Sequence, residues 1–284
     1  MSWWKNFRYN LERSGLELLA WGIPRLSRRA CLGLSRVCGE IAFACDRRGR
    51  AVALANLECA LGPRFSPRQR RKIARDSYRN FARTMLDLFW AKNLTPSNYR
   101  DYLQLEGFEE FRARHARSPG GSIALCVHYG NWEWAGLALG FAGIPTTIVA
   151  ENFKNPLLTD LFTRLREVSG NTIIPQERSM LRLLKSVRRG GATGLLLDLT
   201  LHPTQAATII EGFGLKMCVT LLHAVLAARA DTLLFPVEAR PLPDGTCHVI
   251  AHPPVDFPAG TTPQEIAQRC WDAFEPIMGA HPEN

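Results

Sequence analysis

Hydrophobic and polar positions alternate with two different periods along this chain, and the change of period near residue 120 divides it. In the first part, Trp3, Trp4, Phe7, Leu11, Leu16, Leu18, Leu19 and Trp21 are interrupted by Lys5, Arg8, Glu12, Arg13 and Glu17. This spacing predicts a helical, partly amphipathic segment over 1–46 that runs into the basic cluster Arg47, Arg48 and Arg50. A second helix is expected from Ser66 to about Lys92: Ser66 can cap it, Pro67 suits its first turn and Gln69 completes a capping box. On that helix Arg68, Arg71, Arg75, Arg79 and Arg83 recur three or four apart, a spacing that usually marks a solvated face. Beyond residue 120, short apolar and β-branched runs follow at 123–127, 146–150, 172–174, 194–199, 232–237 and 247–251. Helical patterns lie at 132–141, 156–168, 178–189 and 218–229, with a last one at about 262–274. Strands alternating with helices predict an α/β fold with a central mixed or mostly parallel sheet flanked by helices. There is no repeat and no linker. The expected organisation is a helical, membrane-associated N-terminal segment over 1–50 and one catalytic domain over 51–284.

Composition adds limits to this pattern. The chain has 284 residues, 46% hydrophobic and 21% charged, as an ordinary folded protein does. Its formal net charge of +9 favours anionic partners, whether a phospholipid surface, an acidic protein or a phosphorylated substrate. Nucleic acid is disfavoured, because no reading motif and no interleaving of aromatic and basic residues of the kind that stacks bases is present. The eight cysteines form no C-x-x-C pair and suit a reducing compartment; Cys31, Cys38 and Cys45, seven apart, read as small fillers on one helical face. No cleavable signal peptide is visible, and no apolar run reaches the roughly eighteen residues of a spanning helix. Tryptophans beside basic residues suit a helix lying in the headgroup layer; the competing expectation is a helix packed on the protein's own core.

The candidate chemistry sits where the run 123–127 stops. His128, Tyr129, Gly130 and Asn131 form a turn before a helix opening near Trp132, and carboxyl ends of strands are where such folds present catalytic groups. Glu133, in the first helical turn, is expected to reach back to the His128 ring and leave the other nitrogen as a general base. Amides at the helix N-terminus are candidates for holding an oxyanion. Two other readings stay open on spacing alone. His128 and Glu133 suit a metal if one of His202, His248 or His252 joins them, and Cys126 beside His128 suits a Cys–His nucleophile, although a thiol inside an apolar run is more often core.

H-Y-G-N-W-E at 128–133 resembles the H-x-x-x-x-D/E signature of glycerolipid and lipid A acyltransferases. The block N-P-L-L-T-D-L-F-T-R-L-R at 155–166 is similar to the N-P-L-L…R-x-R block of the bacterial late acyltransferases of lipid A biosynthesis, the lauroyl- and myristoyltransferase type. Gln176–Arg178 leads into a basic helix ending at Gly190 and Gly191, and Asp198, Phe213, Gly214, Thr220, Phe235 and Pro236 follow at similar separations, so the likeness spans roughly 47–240. The resemblance implies an O-acyltransferase with His128 and Glu133 as the catalytic pair. It implies substrate contacts at Arg164, matching the family's essential arginine, and at Arg166, Arg178, Asn131 and Asp198. It also implies an acyl donor in thioester linkage to acyl carrier protein or coenzyme A, an anionic membrane lipid or glycolipid acceptor, no metal and no prosthetic group. The location implied is peripheral, at the cytoplasmic face of a bacterial inner membrane. The segment 197–200 reads L-D-L-T where the family has P-D-x-D, and Glu211 stands where an apolar residue is usual; both departures fall where an acceptor is read. A thioesterase or lipid hydrolase using the same base, and a non-enzymatic binder of anionic lipid, are the alternatives.

Overall fold

The computed structural model describes residues 3–62, 64–202 and 206–284; residues 1 and 2 of the expected N-terminal segment lie outside this set. Four helices come first: α1 (Trp3–Gly22), α2 (Arg28–Cys45), α3 (Arg47–Leu61) and α4 (Pro67–Trp90). Each of the last three starts at a side-chain cap. Ser27 accepts from the Ala30 amide, Asp46 from that of Gly49, and Ser66 with Gln69 closes the expected capping box. The mixed part follows as β1 (Leu103–Glu106), α5 (Phe108–His115), β2 (Ser122–Cys126), α6 (Trp132–Phe141), β3 (Thr146–Ala150), α7 (Thr159–Arg166), β4 (Thr172–Pro175) and α8 (Ser179–Val187). It closes with β5 (Ala192–Leu196), β6 (Ala207–Gly212), β7 (Leu215–Thr220), α9 (Leu222–Ala230), β8 (Leu233–Pro241), β9 (Cys247–Ala251) and α10 (Pro263–Ala280).

Seven strands form one sheet in the order β1-β9-β8-β2-β5-β3-β4, parallel throughout except for the β8–β9 pair. Strand β2 is buried at all five positions, as a strand covered on both faces must be. Its alternate residues feed two cores. Ala124 and Cys126 pack with Cys31, Leu88, Phe89, Trp134 and Leu161, on the side of α2, α4, α6 and α7. Ile123 and Leu125 pack with Leu183, Ala224, Leu226 and Phe274, on the side of α8, α9 and α10.

The structure departs from the sequence reading at β1, β6 and β7. The helix expected over 218–229 begins as the end of β7, and helical residues start only at Leu222. Strands β6 and β7 form a separate antiparallel hairpin whose turn places Phe213 at φ 51° and Gly214 at φ 73°. Asn or Gly is usual at both positions, so Phe213 hides the turn from the sequence. It is held there by a hydrogen bond that its backbone N–H donates to Glu275 Oε2 (2.9 Å) and by an edge contact with Trp271.

The N-terminal helices pack on the sheet domain. Ala20, Ile23 and Cys31 share a core with β2, Tyr9 donates to the Lys154 carbonyl (2.8 Å), and Lys92 donates to that of Ala20 (3.0 Å). The outer side of α1 remains bare, with Trp3, Trp4, Phe7, Leu11, Leu18 and Trp21 all exposed. Among the described residues no helix is long and apolar enough to cross a membrane. Cys31 is buried as a filler should be, whereas Cys38 is half-buried and Cys45 exposed.

The basic stripe of α4 is only partly a solvated face. Arg75 and Arg79 both bind Glu40 of α2, and Arg83 is buried. Arg83 turns inward because Asp87, fully buried one turn on, collects it (3.4 Å) together with Arg28 of α2 and the Asn131 amide (2.8 Å). Arg83 also donates to the carbonyls of Leu242 and Thr246, and Arg28 to that of Gly245, which ties α2, α4 and the β8–β9 turn together. Replacing Asp87 by alanine strands two buried guanidinium groups. The expected result is a loss of about 3–5 kcal/mol in urea unfolding with an unchanged m-value; a loss below about 1 kcal/mol would show that the arginines simply rehydrate.

Candidate active site

The carboxyl edge of the sheet brings β2 and β5 side by side, and the site grows from that register. Cys126 pairs with Leu196, and the next rung, Leu197 N–H to Cys126 C=O at 3.0 Å, carries the pairing past both strand ends. His128 and Asp198 thereby become neighbours. The ring Nδ1 of His128 lies 3.0 Å from Asp198 Oδ1, and the His128 backbone N–H donates to Oδ2 at 2.9 Å. A carboxylate only accepts, so Nδ1 carries the proton and Nε2 presents its lone pair. Among the described residues Nε2 makes no hydrogen bond. The ring is steadied by Trp132, in an edge contact at 5.2 Å between centroids, and Trp132 in turn meets the exposed Phe81 at 6.0 Å.

The turn that carries His128 is fixed from behind. Gly130 sits at φ 60°, and a Cβ there would run into the Ala239 carbonyl, so glycine satisfies both the conformation and the space. The Asn131 amide N–H donates to that same carbonyl (2.8 Å), and Thr84 donates to the Gly130 carbonyl (3.0 Å). Asn131 then caps α6 by accepting from the Trp134 amide (3.1 Å). With its other end on Asp87 and no exposed surface, its side chain is committed within the protein and has no face for a substrate. That corrects the substrate contact expected of it.

Glu133 does not reach the His128 ring. It is buried and held by Arg166 through two bonds, Nε to Oε2 at 2.9 Å and Nη2 to Oε1 at 2.6 Å. Both charges are felt at His128. Its pKa is raised above the ordinary value, first by the hydrogen bond it donates to Asp198, against the opposing effect of burial; the charges of Asp198 and Glu133 raise it further and Arg166 lowers it. A histidine with a raised folded pKa adds stability that is fully present below its unfolded value, about 6.5, and is lost as pH rises through the folded value. The neutral form of the ring is therefore reached at a higher pH than in an unperturbed histidine.

The two arginines of the R-L-R block part company, since residues two apart on a helix face different ways. Arg166 is the one at the site. Arg164 is exposed and pairs with Glu17 of α1 at 3.0 Å. Arg178 is exposed at the start of α8 with φ 57°, beyond the end of β4 at the same sheet edge. Cys126 is buried and its thiol is pushed up to about 12 by burial, which leaves it no thiolate for nucleophilic work. His248 pairs with Glu106 and His252 with Glu238, so neither joins His128 and Glu133. Two contributors gave no sequence signal of a role here: Asp87, hidden in a basic helix, and Thr84. Asp198 was visible as a strand-end acid, but its partner was not.

A histidine held by a carboxylate stands at the carboxyl edge of a largely parallel sheet, an arrangement suited to acid–base chemistry, with an Arg–Glu pair beside it. The chain matches the family model for bacterial lipid A biosynthesis acyltransferases over residues 16–284, and it belongs to that family. It is accordingly an O-acyltransferase of lipid A biosynthesis. No curated protein matches the chain at a significant level.

Proposed function

We propose that the protein transfers a fatty acyl chain from a thioester donor, acyl carrier protein or coenzyme A, to a hydroxyl of a lipid A precursor or related glycolipid. The observation that carries the mechanism is the His128–Asp198 pair, with no hydrogen bond to Nε2 among the described residues. Nε2 removes the acceptor hydroxyl proton as that oxygen attacks the thioester carbonyl. The tetrahedral intermediate then expels the thiolate, which takes the proton back from Nε2. Ester and free thiol result. The Trp134 amide is taken by the Asn131 cap, and those of Trp132 and Glu133, which lack intrahelical acceptors, are suited to the oxyanion.

Asp198 acts as the orienting carboxylate. Glu133 acts on the same centre by fixing Arg166, whose remaining N–H donors stay available to an anionic or carbonyl oxygen. Arg164 and Arg178, both exposed, are outer contacts for anionic groups of donor or acceptor. The bare apolar side of α1, rich in tryptophan and flanked by basic residues, supports peripheral association with the cytoplasmic face of the inner membrane.

Product analysis tests this reading. Incubation of purified protein with an acyl thioester and a glycolipid acceptor is expected to give acylated acceptor. Free fatty acid released at the same rate without acceptor would instead identify a hydrolase.

A further inference from the structure

Helices α2, α3 and α4 enclose an open depression of about 420 Å³, lined by Glu40, Phe43, Ala44, Arg50, Arg71 and Arg75. Three arginines and one carboxylate, Glu40, line it; Glu40 is matched by both Arg75 and Arg79, while Asp46 lies near Arg50 and Asp76 pairs with Arg79. Arg50 donates to the carbonyls of Phe43 and Ala44, closing the C-terminal end of α2. Arg71 makes no ion pair among the described residues. Its guanidinium lies 5.4 Å from the centre of the Phe43 ring, as does that of Arg50. Two guanidinium groups are thus placed beside one aromatic ring, and that of Arg71 has no carboxylate partner among the described residues, an arrangement that suits the oxygens of a phosphate ester.

What surrounds the depression points to the source of that phosphate. Val37 and Ile41 are more than half exposed and lie one turn apart on α2; the next position of the row is Ala44, which lines the depression. An apolar row that runs along the surface and ends at a cluster of arginines is the signature of an interfacial helix. An acidic protein or a nucleic acid would leave that row in water. The depression is separate from the catalytic turn: from Arg75 to Thr84, which holds Gly130, α4 rises roughly 13 Å.

We propose that this depression binds the phosphate of an anionic phospholipid headgroup, with Val37 and Ile41 seated at the boundary of headgroups and acyl chains. The proposal rests on the membrane-association reading given above, and adds a defined headgroup site to it. Its consequence is a second point of attachment, on α2 and α3, besides the apolar side of α1.

Flotation separates the two. The full-length protein is mixed with vesicles of phosphatidylcholine and with vesicles of equimolar phosphatidylcholine and phosphatidylglycerol. Arg71→Ala is expected to weaken binding to the mixed vesicles about fivefold and to leave binding to phosphatidylcholine unchanged. Phe43→Leu, which keeps the apolar packing and removes the ring, is expected to lose part of the same preference. Arg182→Ala on α8, an equal change of charge on the opposite face of the sheet, is expected to cost less than about twofold. Equal losses for Arg71→Ala and Arg182→Ala would overturn the site in favour of bulk charge. So would a wild-type protein that binds both vesicles alike, with membrane association itself left standing. Binding to neither vesicle would remove membrane association and the headgroup site together. Circular dichroism confirms that the variants are folded.

Discussion

His128→Ala is expected to lower the rate of acyl transfer by about 10²–10⁴-fold, with thermal stability and vesicle binding close to wild type. On the mechanism proposed above His128 takes the acceptor proton: Cys126 is a buried, protonated thiol, and Glu133 is occupied by Arg166. The side chain is over a third exposed and its ring contacts are few, so its removal opens no core cavity. Rates measured with a saturating acceptor, alongside a melting curve for each protein, check both halves of the expectation. A variant that transfers acyl groups at the wild-type rate would sink the assignment of His128 as base.

Asp198→Asn is expected to be nearly as severe, about 10²-fold or more in kcat, for a reason specific to the geometry. The amide can still accept from the His128 backbone through its oxygen, which places its NH₂ against Nδ1. Nδ1 must then accept, the ring proton moves to Nε2, and the nitrogen facing the substrate no longer has a lone pair to offer. The same change removes the hydrogen bond and charge that hold the histidine pKa up, so the acidic limb of the pH–rate profile is expected to move to lower pH. Loss of rate with a downward-shifted limb distinguishes an orienting carboxylate from a merely structural one, which would lower stability without moving the limb. An unshifted limb would return the orienting role to Glu133.

These two residues also show where the sequence stops being informative. The apolar run at 123–127, the turn that follows it and the helix opening near Trp132 were all legible, because each depends on residues a few positions apart. The capping box of α4 was legible for the same reason, and so was the alternation of strands and helices that makes the sheet. The hairpin of β6 and β7 was not, because Phe213 occupies a turn position where the local signal would be Asn or Gly and is stabilised by Glu275 and Trp271, about sixty residues on. Likewise, the arginine stripe of α4 read as a solvated face. Its inward half exists only because Glu40, Asp87 and the β8–β9 turn converge on it.

By itself, then, the sequence determined the α/β architecture, the placing of His128 at a strand end, and the family resemblance of the blocks at 128–133 and 155–166. Only the tertiary structure decided which carboxylate holds the histidine and which arginine stands beside it. Asp198 is 70 residues from His128 and meets it because β5 pairs with β2 in a register that sets the two strand ends abreast. Glu133, five residues away, is turned towards α7, where Arg166 and not Arg164 faces inward. Hydrogen bonds reach about 3 Å, so sheet order and helix phase choose the partners, and separation along the chain has no say in it.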